Sequence, residues 1–314
     1  MNLEEFSFMG RRFGPLPVSV GASPYCLPWP PVFLLILTAF SLLATGCKEN
    51  YNRAAGDAAN DPAAHATNSA AASKPRDATK EAPFVNSLGM KFVPVEITGG
   101  PTNGERVLFS VWDIRVQDYL EYSREKGITP QKPSFEQEPT HPVVCVSWYD
   151  AKSFCRWLTA RERASGNLGP RDEYRLPSDH EWSCAVGIGR QEDAEATPES
   201  KSGQIGQVYP WGTGWPPPKG AGNYDTALVV DDFDYTSPVG SFAANENGLY
   251  DMGGNVWQWS EDWYDAKKEY LALRGASWFT LGEIYLRSAY RYSIHPSDRY
   301  DIVGFRCVLG ISGG

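Results

Sequence analysis

From about residue 84 onward the chain alternates short apolar runs with turn-forming residues, and the first of these patterns is strand-like. Asn86-Ser87-Leu88-Gly89-Met90 reads as a turn entering a strand that ends near Val95. Val107-Leu108-Phe109-Ser110-Val111 reads as a second strand. The spacing then turns helical over 117–126, with Gly127 as the stop. A clearer helix follows Ser147: Asp150, three residues on, gives capping-box spacing, and Ala151, Phe154, Cys155 and Leu158 form an i, i+3, i+4, i+7 apolar stripe. Ser178 and Glu181 repeat the capping spacing and predict a short third helix. Beyond Gly189 the pattern breaks into loops and short strands without an internal repeat. The expected class is α+β, with an irregular, aromatic-rich second half.

The N-terminal pattern is of another kind. Arg11 and Arg12 precede an apolar run from Pro31 to Ala44, followed by Thr45-Gly46-Cys47. A basic flank, a short apolar stretch and small residues before a cleavage point describe an export signal over 1–46. The run is shorter than the ~20 apolar residues that span a bilayer comfortably. Ala-Thr-Gly-Cys resembles a bacterial lipobox, in which Cys47 is lipidated and becomes the mature N-terminus. A plain signal peptide or an uncleaved anchor is the competing reading. From 47 to 83 the sequence is mostly Ala, Asn, Asp, Ser and Thr, too polar and small-sided to offset the cost of ordering its backbone. It is expected to be a disordered tether to a membrane, with the folded domain occupying 84–314 and lying in the periplasm or at the cell surface.

Composition narrows the function classes. The 314 residues include 11 Trp, 16 Tyr and 14 Phe, enough to build a sizeable core. The net charge of −9 offers no basic face for phosphates, so nucleic acid is not an expected partner. Only four His are present and none pair at helical spacing, which argues against a His-built zinc or iron site.

The chemistry is carried by a series of short motifs in order. They are Asn86–Met90; His141-Pro142-Val143-Val144-Cys145-Val146-Ser147-Trp148; Tyr174-Arg175-Leu176-Pro177-Ser178; Tyr209-Pro210-Trp211-Gly212; and Gly222-Asn223-Tyr224. Then come Ser237–Phe242, the run Asn247–Trp259 with Gly253-Gly254-Asn255-Val256-Trp257, Arg274-Gly275-Ala276-Ser277-Trp278, and Gly304-Phe305-Arg306-Cys307. Together they resemble the sulfatase-modifying factor family, that of the formylglycine-generating enzyme, across essentially all of 84–314. The resemblance implies a compact α+β fold related to the C-type lectin fold.

It also implies a chemistry that this chain departs from. The family's enzymes oxidise a sulfatase cysteine with oxygen and a copper(I) ion held by two thiolates, a soft ion on soft ligands. In this chain Thr280 aligns with the first of those cysteines, and the second position falls near Glu283 to Tyr285. A hydroxyl and a carboxylate or phenol do not replace a bis-thiolate site, so copper is not expected. A second branch, the sulfoxide synthases, carries iron-binding histidines on an N-terminal helical domain, where this chain has its tether. The expected function is therefore a membrane-tethered extracytoplasmic domain acting as a binding or interaction module toward a protein, peptide or carbohydrate. The alternative is an oxidoreductase of the family, formylglycine-generating or sulfoxide-synthase-like, acting on a protein or small thiol.

The resemblance carries over two calcium sites, built from the oxygens that ion prefers. The first uses the side chains of Asn223 and Asp231 with the carbonyls of Tyr224 and Phe233. The second uses Asp251, the carbonyls of Gly254 and Val256, and Gln258, where a glutamate is expected, so it should be weaker. An acidic solvated loop, Asp231-Asp232-Phe233-Asp234, is the competing reading. Family precedent also pairs Cys155 with Cys307 in a disulfide, leaving Cys145 and Cys184 as buried free thiols. Trp211, Trp257, Trp259, Trp278 and Tyr250 read first as core and second as a groove. Arg274 and Arg306 read as structural hydrogen-bond hubs, and His141 and His295 as capping or loop residues.

Overall fold

The structure, a computed structural model, describes residues 71–72 and 74–311. The export signal, Cys47 and most of the tether therefore lie outside the described residues. Order begins earlier than the composition suggests. Pro75–Asp77 forms a 3-10 turn, and Ala78 is buried in the main core with its carbonyl bonded to Arg106. The expected tether boundary at 83 is thus too late. The cause is tertiary: Ala72 bridges to Phe84 and Lys80 reaches the carbonyl of Glu246, contacts no local pattern encodes.

Five strands make one antiparallel sheet: β1 (Phe84–Val85), β2 (Lys91–Glu96), β3 (Arg106–Ser110), β4 (Glu173–Arg175) and β9 (Val308–Ile311), in the order β1-β2-β3-β9-β4. The turn into β2 is set by Asn86, whose side-chain oxygen accepts from the Leu88 and Met90 amides, and by Gly89 at φ 74°. Successive strand side chains point to opposite faces. Here Phe92, Leu108 and Leu309 enter one hydrophobic cluster, while Val93, Val107, Phe109 and Val308 enter another. Because both faces are covered, these strands read as unbroken apolar runs rather than alternating ones.

A second sheet of four strands holds β5 (Trp257–Trp263), β6 (Leu271–Arg274), β7 (Tyr292–Ile294) and β8 (Val303–Gly304) in the order β7-β6-β5-β8, with β5 and β8 parallel. The helices follow their capping signals. In α1 (Val116–Lys126) the Asp118 carboxylate accepts from the Arg115 amide and guanidinium, and Gly127 ends the helix at φ 64°. In α2 (Trp148–Ala164) Ser147 accepts from the Asp150 amide, and the stripe Ala151, Phe154, Cys155 and Leu158 is buried. In α3 (Asp179–Val186) Ser178 and Glu181 cap each other, and Glu181 also holds Arg175 through two 2.7 Å hydrogen bonds. A single turn, α4 (Pro198–Lys201), completes the helices. Phe154, Trp259, Phe305 and Leu309 lie at the centre of the larger core, almost without solvent contact.

Candidate functional site

The Asn223 loop is built by close backbone approach. Gly254, at φ 81°, lies so near Asn223 that a Cβ there would meet the Asn223 carbonyl oxygen at 2.4 Å. The Asn255 amide donates to that same carbonyl, and the Asn255 side chain bridges the Ser237 backbone. Asn223 itself is buried. Its Nδ2 donates to the Tyr235 carbonyl at 2.8 Å, while its Oδ1 has no hydrogen-bond partner. Asp231 folds back on its own loop, accepting from the Tyr224 amide at 3.0 Å and the Phe233 amide at 2.9 Å. An orphaned buried amide oxygen and a carboxylate held by its own loop are of the donor types that suit a hard cation. Among the described residues no three His, Cys, Asp or Glu side chains converge as metal ligands, so any cation here would draw on amide and main-chain oxygens.

The second expected cation site is built differently. Gln258 Oε1 is already filled by Trp182 Nε1 and Arg306 Nε, each at 2.8 Å, and Gln258 Nε2 donates to the Asp251 carbonyl at 2.7 Å. Gln258 is a structural connector, and its oxygen has no room for a cation. Asp251 accepts from the Gly240 amide, and burial raises its carboxyl to about 6. The residue that the sequence reading missed is Asp113. It is fully buried, both its oxygens lack hydrogen-bond partners, and Arg306 Nη2 stands 3.7 Å away, too far for a hydrogen bond. Burial, opposed by Arg306, pushes the Asp113 carboxyl well above the usual range. A charged residue inside the run Val111-Trp112-Asp113-Ile114 was the available signal.

Arg306 and Arg274 are hubs, as expected. Arg306 donates to the carbonyls of Ser110 and Tyr250 as well as to Gln258. Arg274 lies 4.2 Å over the Trp182 ring and donates to Asp179 and to the Ser288 carbonyl. Arg291 and Lys201 also bind Asp179, and Arg291 binds Glu192. Burial alone would raise the Asp179 carboxyl, but these three cations outweigh it and hold the group far below its ordinary value. Trp257, Trp259 and Trp278 are buried, while Trp211 and Tyr250 are half-buried, so the core reading holds for the first three. His141 bonds the Thr236 hydroxyl and His295 the Ser297 hydroxyl, both in loops.

At the position of the first family cysteine, Thr280 is buried in a tight turn. Its hydroxyl accepts from the Ser277 amide at 3.1 Å and meets the Ser277 hydroxyl at the same distance. Glu283, near the second position, is bound by Tyr209 and Arg287. No thiol stands at either position. The loop around them is apolar and exposed: Phe279, Leu281, Ile284 (54% accessible) and Tyr285, with Tyr235 stacked on Phe135 at 4.4 Å and edge-on to Trp278.

Among the remaining cysteines one expectation, that of a free Cys145, is corrected. Cys155 and Cys307 are brought together, but as free thiols with sulfurs 3.3 Å apart, well beyond the ~2.05 Å of a disulfide bond. Cys184 is free and buried beside His180. Cys145 is disulfide-bonded rather than free.

A profile of the Sulfatase-modifying factor enzyme 1-like domain matches residues 77–311. The chain belongs to the sulfatase-modifying factor family. Within the family it is 34% identical over 179 residues to a Bos taurus protein named inactive C-alpha-formylglycine-generating enzyme 2, covering 54% of this chain and 50% of that one. It is 32% identical over 143 residues to a formylglycine-generating enzyme of Thermomonospora curvata, covering 42% and 37%. The chain spans about half the length of the curated relatives it matches, or less. Among solved structures, Treponema denticola variable protein 1 superposes with a TM-score of 0.51 at 18% identity, covering 72% of this chain and 97% of that one. PvdO from Pseudomonas aeruginosa gives 0.50 at 23%, covering 72% and 96%. These likenesses show the fold, and with it the α+β class.

Proposed function

We propose that this chain is a non-catalytic binding module of the sulfatase-modifying factor fold, held outside the cytoplasm by a lipid on Cys47. The observation that carries the reading is the state of the Thr280 loop. Thiolates are needed there to hold copper(I), and the chain has instead a hydroxyl tied into its own turn, surrounded by exposed apolar side chains. Exposed Phe279, Leu281, Ile284 and Tyr285 cost solvation unless a partner covers them, which favours a binding face over a vestigial pocket. The similarity to relatives named as inactive enzymes supports the same direction.

Calcium is proposed as a structural ion at the Asn223–Asp231 loop, where it would satisfy the orphaned Asn223 oxygen and orient the acidic residues beside it. Asn223 and Asp231 would supply side-chain oxygens, and Tyr224 and Phe233 their carbonyls. The second set, Asp251 with Gly254, Val256 and Gln258, is not proposed as a cation site, because Gln258 has no free lone pair directed outward.

The binding face is tested by a photo-crosslinking amino acid placed at Ile284 in cells exporting the full chain. A discrete adduct at Ile284, absent when the same group replaces exposed Leu120 on α1, is expected. The absence of any adduct at Ile284 and Phe279 would contradict the reading.

A further inference from the structure

A groove of about 1,040 Å³ shares no residue with the Thr280 loop. It runs between the 3-10 turn at 75–77, the loop joining β2 to β3, the solvent side of α2 and strand β4. Its charge runs against that of the molecule. The chain carries −9 overall, yet six cations line this groove (Arg76, Arg106, Lys152, Arg156, Arg171 and Arg175) against the four carboxylates Glu105, Glu173, Glu181 and Glu261.

The cations differ in how far they are committed. Lys152 is paired with Glu261, and Arg175 with Glu181, so those charges are largely cancelled. Arg106 and Arg156 hydrogen-bond neutral oxygens, the Ala78 carbonyl and the Ser153 hydroxyl, and keep their charge. Arg76, Arg156 and Arg171 are exposed along the wall, and Arg76 and Arg171 each have a partner of their own that an incoming carboxylate would share. Arginine suits this role because its planar fork can bind a carboxylate through two parallel hydrogen bonds.

We propose that this groove binds an extended acidic segment of a protein partner. The shape and the spacing of charge select that class. A small phosphate compound needs cations and amides converging on one point, whereas these cations come from five chain segments spread along an open trough. An anionic lipid surface is flat and would meet cations on a convex face, and it would be repelled by Glu105 and Glu173, which are exposed in the groove lining. A polypeptide with spaced carboxylates can meet the arginines and pass the glutamates. The inference goes beyond the binding face proposed at the Thr280 loop, and either can fail without the other.

The test measures binding of a short fluorescent peptide of alternating Glu and Ser to the full chain, with the Gln-for-Glu peptide as control. The Glu peptide is expected to bind at least about tenfold more tightly, and the difference should shrink as salt rises. Arg156→Glu combined with Arg171→Glu, both at exposed positions, should remove most of that preference with an unchanged melting temperature. Lys126→Glu on α1, outside the groove, should leave it intact. Equal binding of the two peptides, or a preference untouched by the paired reversal, would overturn the proposal. So would binding to phosphatidylglycerol vesicles that needs both arginines while the Glu peptide shows none.

Discussion

The side-chain oxygen of Gln258 accepts one hydrogen bond from Trp182 and one from Arg306, both at 2.8 Å, so a single amide joins α3, β5 and the segment leading to β9. Replacing it orphans an indole N–H and a guanidinium N–H and takes one of two donors from the Asp251 carbonyl. Gln258→Leu is expected to destabilise the domain by at least about 3 kcal/mol. Urea unfolding of the variant beside the unmutated chain measures this; a change within about 0.5 kcal/mol would show that the network relaxes without cost.

Asp179 gives the fold a defined acid limit. Its carboxyl lies far below its ordinary value because Arg274, Arg291 and Lys201 surround it despite its burial. A depressed folded-state value stabilises the protein above the unfolded value, near pH 4, and that stabilisation is lost as pH falls below it. Glu192, held low by Arg291 against its own burial, acts in the same direction. Stability should therefore drop steeply below about pH 4, and Asp179→Asn should both lower neutral-pH stability by about 3–5 kcal/mol and flatten that drop. Unfolding curves between pH 2 and 7 for the two proteins decide the point.

Much of this was readable before the structure. The capping pairs Ser147–Asp150 and Ser178–Glu181 placed two helices because the signal is local and stereochemical. The ordered motifs placed the family because nine of them occur in sequence. What the sequence could not show was which lone pairs are already taken. Gln258 reads as a ligand that has lost a charge, yet its oxygen is saturated by Trp182, 76 residues away, and by Arg306. Asp113 and the groove of Arg106, Arg156 and Arg171 are products of long-range packing that no spacing rule encodes. The order at Pro75 and Ala78 was hidden for the same reason.

The thiols of Cys155 and Cys307 need only a small approach to bond. In an oxidising compartment they are expected to form the disulfide, closing a loop of about 150 residues and adding up to about 5 kcal/mol. Non-reducing peptide mapping of exported protein should recover the linked pair. Recovery of both as free thiols would reject it.

Mutating Cys47→Ala should release the exported protein from membranes or leave an unprocessed precursor, read by fractionation and intact mass. Unchanged fractionation and mass would remove the lipid anchor from the account.

Calcium should raise the melting temperature of the full chain relative to chelator, corresponding to about 2.7 kcal/mol at a hundredfold excess over the dissociation constant. Asp231→Ala should abolish most of that shift. Identical curves with calcium and with chelator would mean that Asp231, Asp232 and Asp234 form only a solvated surface.

The central claim, a family scaffold without the family's chemistry, is tested most directly by incubating the full chain with copper(I), oxygen and a peptide bearing the sulfatase cysteine motif. Oxygen consumption and peptide mass are followed together. With Thr280 in place of the first thiolate, oxygen uptake should match the protein-free control and the peptide mass should stay unchanged. Conversion of the peptide cysteine to formylglycine with catalytic oxygen uptake would contradict the account.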